Sequence, residues 1–297
     1  MKLINLLALV IVWGSYYITN KFALTTYSVV FTGIFIRTFV LFLMLFVGFL
    51  SKKSYELLRL KNIFPRLVLI GLLGFALDIT AFLGFKYSSA SKGAVLLRTD
   101  VLFSTVISAF LGQMPGVMDI LSMVLMLFGV ALVSGSGSIF KLAYGDVFFL
   151  LSAFFISLNA FVIRSVQEDK KNPASDFVIA FYNNFFTLVF FSIFSLNNLV
   201  NEVALGLSNF GLKASTTGLV MASILQYLIY VVYYRNLRIF PVWLVRTSLL
   251  FMPVYVLIVM SLFGEAVNTK QIIGVVIVLF GAFILTMSNY FRKSKRG

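Results

Sequence analysis

The chain contains no cysteine and no histidine, and only 10 of its 297 residues are acidic. The first two absences exclude disulfides, thiolate nucleophiles, Cys/His metal centres and imidazole acid–base chemistry. A sequence without thiols also gives no reading of redox compartment. Charge is scarce altogether: 11% of residues are charged and 61% are hydrophobic, whereas an average soluble chain is about 25% charged and roughly 45–50% apolar. That balance excludes a soluble domain. The 34 Phe and 13 Tyr fit a chain whose main solvent is lipid. The phosphate-loop pattern G-x-x-x-x-G-K-[ST] is missing as well, which removes nucleotide hydrolysis as an energy source.

What the chain has in abundance is long apolar runs, at 3–24, 28–50, 66–87, 91–111, 117–135, 145–165, 174–196, 212–235, 241–263 and 270–290. They predict an all-α membrane protein of ten transmembrane helices. Turn-forming residues separate them, among them Lys52-Lys53, Ser88-Ser89, Pro115-Gly116, the Ser134–Ser138 run, Asn172-Pro173, Asn197-Asn198 and Phe240-Pro241. Ten spans of roughly 20 residues leave about 97 positions for tails and loops, too few for an extramembrane domain. The first run follows Lys2 but lacks a small-residue cleavage site, so it reads as a retained helix rather than a signal peptide.

The formal net charge is +14. In a membrane chain this records cytoplasmic loops facing anionic lipid, and no nucleic-acid partner is expected. With the N-terminus inside, the inner segments hold 15 basic residues and the outer segments six, namely Lys21, Lys86, Lys92, Lys141, Lys213 and Lys270. Both termini are therefore expected in the cytoplasm, in a multi-pass protein of the cell membrane.

The chain also repeats itself. Leu97-Arg98-Thr99 is answered by Val245-Arg246-Thr247, Phe110-Leu111-Gly112-Gln113 by Leu262-Phe263-Gly264-Glu265, and Leu127-Phe128-Gly129 by Leu279-Phe280-Gly281. These place one five-helix repeat in residues 1–140 and a second in 141–297. Five is odd, so the copies cross in opposite senses, the inverted arrangement that lets one site open alternately to each side.

Trp13-Gly14-Ser15, Lys86-Tyr87-Ser88-Ser89-Ala90-Ser91, Gly145-Asp146, Pro253, Phe263-Gly264-Glu265, Gly274 and Gly281, in this order over nearly the whole chain, resemble the EamA-type members of the drug/metabolite transporter superfamily. The resemblance implies a non-enzymatic secondary transporter, an exporter of amino acids or related metabolites. Exchange of organophosphates or nucleotide-sugars, found elsewhere in that superfamily, is the alternative within transport. An embedded enzyme acting on lipid-linked substrates is the alternative from another class. The first half departs from the family in having Gln113 where Glu is common and no proline matching Pro253, so a kinked helix is expected only in the second half.

Five ionisable residues fall deep within the runs: Arg37, Asp78, Arg98, Asp100 and Arg246. Each costs roughly 2.5–3.5 kcal/mol at the bilayer centre if it faces lipid, so they are expected to face the bundle interior. Arg98 and Asp100 stand about 200° apart on a regular helix, which sends each to partners on other helices. Asp78 is a partner for either Arg37 or Arg98. Three arginines against two aspartates leave a formal +1 that either a bound anion or an ion-pair network must satisfy. Trp13, Tyr17 and Asn20 share one helical face, as do Gln226, Tyr230 and Tyr233. With Asn159 these complete the candidate substrate site: Trp13, Tyr17, Asn20, Arg37, Asp78, Arg98, Asp100, Asn159, Gln226, Tyr230 and Arg246. No metal or cofactor is expected. The partners are a small-molecule substrate and membrane lipid, and Gly274 and Gly281 suit close packing within the bundle or in a homodimer.

Overall fold

The computed structural model describes residues 2–52, 54–58, 62–110, 116–134, 143–172, 174–239 and 249–294, and no strand occurs among them. The helices are α1 (Lys2–Ala23), α2 (Val29–Leu50), α3 (Phe64–Tyr87), α4 (Ala90–Leu96), α5 (Asp100–Phe110), α6 (Val117–Ser134), α7 (Tyr144–Gln167), α8 (Asp176–Phe194), α9 (Leu199–Ser208), α10 (Ala214–Ile239), α11 (Met252–Leu262) and α12 (Thr269–Ser294). Six of them, α1, α2, α3, α7, α8 and α10, are long and apolar enough to cross a membrane. Phe42, Phe46, Phe49, Val124, Phe128, Ile273 and Phe280 point outward, the surface expected of a bundle solvated by lipid.

The packing repeats as the sequence does. α1 lies on α10 as α3 lies on α7, α2 meets α10 as α8 meets α3, and α1 meets α11 as α7 meets α5. The pairs α2–α8, α4–α11 and α6–α12 contact across the two halves. Exchanging each helix with its counterpart therefore maps these principal contacts onto one another. At α6–α12 the repeated Leu-Phe-Gly motifs pack reciprocally. A Cβ on Gly129 would sit 2.8 Å from the Gly274 carbonyl oxygen, and one on Gly281 3.0 Å from the Ser122 carbonyl oxygen. Hydrogen in place of a methyl lets the two backbones approach.

The family motifs fall at inter-helix contacts too. Gly14 faces the Tyr255 ring, and Ser15 Oγ is 2.8 Å from the Tyr255 hydroxyl, tying α1 to α11. Gly145 lies against the backbone of Tyr87 and Ser88, where Ser88 Oγ donates to Asp146 Oδ1 at 3.0 Å. Gly264 (φ 84°) turns the chain after α11, a left-handed position that suits glycine.

Two expectations are corrected. The fourth apolar run is broken despite having no proline: α4 ends at Leu96, a 3₁₀ turn covers Leu97–Thr99, and α5 begins at Asp100. Hydroxyls stabilise the break, since Thr99 Oγ1 donates to the Leu96 carbonyl at 2.7 Å and Ser157 Oγ of α7 donates to the Asp100 carbonyl at 2.6 Å. Freed backbone groups inside a membrane bundle are satisfied in this way by neighbouring Ser and Thr. Secondly, residues expected as a loop after 196 include α9. Its Gly206 lies under the Phe31 ring, and its Glu202 accepts from Ser28, the N-cap of α2.

Candidate functional site: a cavity between the two repeats

A cavity of about 350 Å³ runs between the halves. Aromatic side chains from α1 (Trp13, Tyr16, Tyr17), α3 (Phe82, Phe85) and α10 (Tyr230, Tyr233) form much of its wall. It reaches Ile163, Arg164, Gln167 and Glu168 at the C-terminal end of α7. The opposite end is shut. There Lys21 Nζ donates to the carbonyls of Phe85 (2.7 Å) and Ser88 (2.6 Å), and Phe149 packs edge-on against Phe85 with ring centres 4.9 Å apart.

Seven sequence-predicted residues line this cavity: Trp13, Tyr17, Arg37, Asp78, Asn159, Gln226 and Tyr230. Arg98 and Asp100 line a smaller adjoining pocket that shares Trp13, Ile156, Ala160 and Tyr233 with the larger one. Their expected separation on opposite helix faces does not keep them apart, because Arg98 sits in the 3₁₀ turn and Asp100 opens the next helix. Asn20 lines neither space; it is fully buried and its Nδ2 donates to the Tyr16 carbonyl at 2.7 Å. The face it shares with Trp13 and Tyr17 meets the cavity at those two residues. Arg246 and Gln113 fall outside the described residues.

Arg37 chooses Asp78. Its Nε donates to Asp78 Oδ2 at 2.8 Å and Nη2 donates to the same oxygen. Nη1 donates to Asn184 Oδ1 at 2.6 Å and to the Tyr230 hydroxyl at 3.0 Å, which also accepts from Asn183 Nδ2 at 3.2 Å. One guanidinium thus joins α2, α3, α8 and α10. Arg37 and Asp78 are only 2% and 4% exposed, so a close, hydrogen-bonded pair is the arrangement that makes their burial tolerable. Arg37 lies eight residues beyond Val29, which opens α2, and Asn184 eight beyond Asp176, which opens α8. The arginine therefore meets the residue at its own position in the other repeat.

Arg98 is different. It is 3% exposed, Nη2 donates to the Tyr17 hydroxyl at 3.3 Å, and its guanidinium lies 6.0 Å from the Trp13 ring centre. Its Nε has no hydrogen-bond partner, nor have Asn159 Oδ1 and the Tyr16 hydroxyl in the wall of the larger cavity. Buried polar groups are normally satisfied, and orphans in the walls of both adjoining spaces point to a polar occupant.

Sequence reasoning passed over Tyr16, Ser152 and the Arg164, Gln167 and Glu168 cluster. The last carries a usable signal, polar residues spaced i, i+3, i+4 at the end of an apolar run. Ser104, one turn beyond Asp100 on α5, lies in a seam with α7: its Oγ is 3.2 Å from Ser157 Oγ. At the open end, Arg66 pairs with Asp169 and its Nη1 donates to the Ser165 carbonyl at 3.0 Å. The guanidinium holds the Asp169 carboxyl down at about 2.

An all-helical bundle of two matching halves, with an aromatic cavity opening at one end, defines a multi-pass membrane transporter. The chain belongs to the EamA-like transporter family, which it matches over residues 1–135 and 143–287. No curated protein matches it. A solved crystal structure, described only as that of a protein, superposes with a TM-score of 0.54 at 14% identity, covering 96% of each chain. At that identity the likeness is one of fold.

Proposed function

We propose that the protein is a secondary transporter of the cell membrane that moves a small amphipathic metabolite, an amino acid or another organic anion, by alternating access, and that it works as an exporter. Ten spans, both termini in the cytoplasm and a boundary near residue 140 complete the reading. The single observation that carries it is the cavity: it lies on the interface of two matching halves, is open at the α7 C-terminus and is sealed at the Lys21 end. The count of 15 inner against six outer basic residues makes the open end cytoplasmic, as a carrier awaiting an internal solute requires. Opening the sealed end requires α1 to part from α3, which breaks the Lys21 bonds to Phe85 and Ser88 inside the first repeat, while the α7 end closes.

The native chain has no cysteine, so single thiols report without background. In sealed vesicles, an impermeant maleimide is expected to label Ile163→Cys from the cytoplasmic side and Ala94→Cys, at a fully buried site on α4, from the other. Bulky modification of Ile163→Cys holds that end open and slows labelling of a second thiol at Ala94. Equal labelling of both sites from both sides would indicate a channel, and no labelling of Ala94→Cys from either side a static bundle.

A further inference from the structure

We infer that the pocket beneath Arg98 is the head-group subsite of the transported solute, and that it takes a carboxylate whose apolar body extends into the aromatic cavity. The inference rests on the transporter reading and deepens it. Four of the five Arg37 N–H groups are already taken, by Asp78, Asn184 and Tyr230, and its charge is paired with the Asp78 carboxylate. Arg98 is as deeply buried yet keeps Nε without a partner. Its guanidinium is oriented by the Trp13 ring on one side and the Tyr17 hydroxyl on another. A pre-oriented, desolvated guanidinium edge is a strong donor to an anionic oxygen.

The size and charge of the pocket select among anions. Its volume is about 40 Å³, room for about three waters, which suits a three-atom carboxylate better than a phosphate with its four oxygens. Asp100 lines the same pocket, and its charge opposes a dianion more than a monoanion. The joint with the larger cavity is walled by Trp13, Ile156, Ala160 and Tyr233, apolar and aromatic surfaces that receive a hydrocarbon or ring and not a second charge. The phosphate-ester alternative is therefore disfavoured at this site.

The test uses the purified full chain and three probes that share a phenyl ring: 3-phenylpropionate, phenyl phosphate and the neutral 3-phenylpropan-1-ol. Thermal stabilisation is expected from the carboxylate, with little from the other two at equal concentration. Arg98→Gln is expected to weaken carboxylate binding by about tenfold or more, the worth of one charged hydrogen bond, and Arg98→Lys to recover part of it. Ala160→Leu narrows the joint without touching the arginine and gives a second route to the same loss should Arg98→Gln fail to fold. Phenyl phosphate binding as well as the carboxylate, the alcohol binding as well, no stabilisation by the carboxylate, or full carboxylate affinity in Arg98→Gln would each overturn the inference. The labelling of Ile163→Cys and Ala94→Cys needs no ligand, so it judges the transporter reading separately.

Discussion

Two arginines, Arg37 and Arg98, are buried to the same degree within one bundle, and their surroundings are opposite. Around Arg37 a carboxylate, an amide and a phenol from three other helices take four of the five N–H groups. Around Arg98 there are one phenol at 3.3 Å, an indole face, the Asp100 carboxylate in the same pocket and a nitrogen without a hydrogen bond. The difference separates a tie from a receptor. A satisfied buried charge fixes the relation of the helices that satisfy it, whereas an unsatisfied one stores an affinity for whatever brings the missing partner. Both lie next to the same cavity, so position alone does not tell them apart.

The largest effect that could break this comparison is at Arg37. Arg37→Gln leaves Asp78 buried without its partner and is expected to destabilise the protein by about 3–5 kcal/mol. The double change Arg37→Gln with Asp78→Asn is expected to recover most of that, read as melting temperature in detergent. An unchanged melting temperature in the single variant would remove the distinction between the two arginines.

A smaller effect tests the frame in which both sit. Gly129→Ala places a methyl against the Gly274 carbonyl oxygen and the Val278 amide, which are backbone atoms, and is expected to cost about 1–3 kcal/mol. Gly281→Ala is expected to cost less, because its backbone neighbours stand farther off, at 3.0 and 3.3 Å against 2.8 and 2.9 Å, and its nearest side chain is the flexible Met126 rather than the β-branched Val278. Equal costs would show that the α6–α12 seam adjusts as a whole.

For Arg98→Gln the expected change in stability is smaller still, about 1 kcal/mol or less, since one long hydrogen bond and one cation–π contact are lost while an unsatisfied donor is removed. Its effect belongs in ligand binding. A loss as large as that of Arg37→Gln would make Arg98 a second tie.

The smallest effect concerns the exposed pair at the open end. Asp169 titrates at about 2 in the folded protein, below the ordinary value of about 3.9. Its contribution to stability is therefore present above pH 4 and lost as pH falls through about 2. The melting-temperature difference between the native protein and Arg66→Gln should shrink over that interval; a difference that persists at pH 2 would mean the arginine acts through its bond to the Ser165 carbonyl instead.

Much of the bundle was legible because lipid imposes length and apolarity on each helix separately. Eight of the ten expected runs appear as single helices within the described residues, the run at 241–263 being described only from 249 and entering α11 through a turn at 250–251, and the repeated motifs proved to be contact points, as at Gly129 and Gly281. α9 was not legible, because its ten residues are too short for a span and are held by Phe31 and Ser28, distant in sequence. The broken fourth run was not legible either. Its break depends on Ser157, more than fifty positions away, and the familiar signal of a kink, proline, is absent.

The sequence by itself determined the solvent, the helices, the two-fold repetition and the short roster of polar residues that lipid forbids on the outside. These follow from local composition and period. Only the tertiary structure decided which arginine took Asp78, that Asn20 turned back on its own helix, and that Arg98 was left with an open nitrogen beside an aromatic cavity. Pairing of buried charges is a competition among groups on different helices, settled by distances of a few ångströms that no single segment encodes.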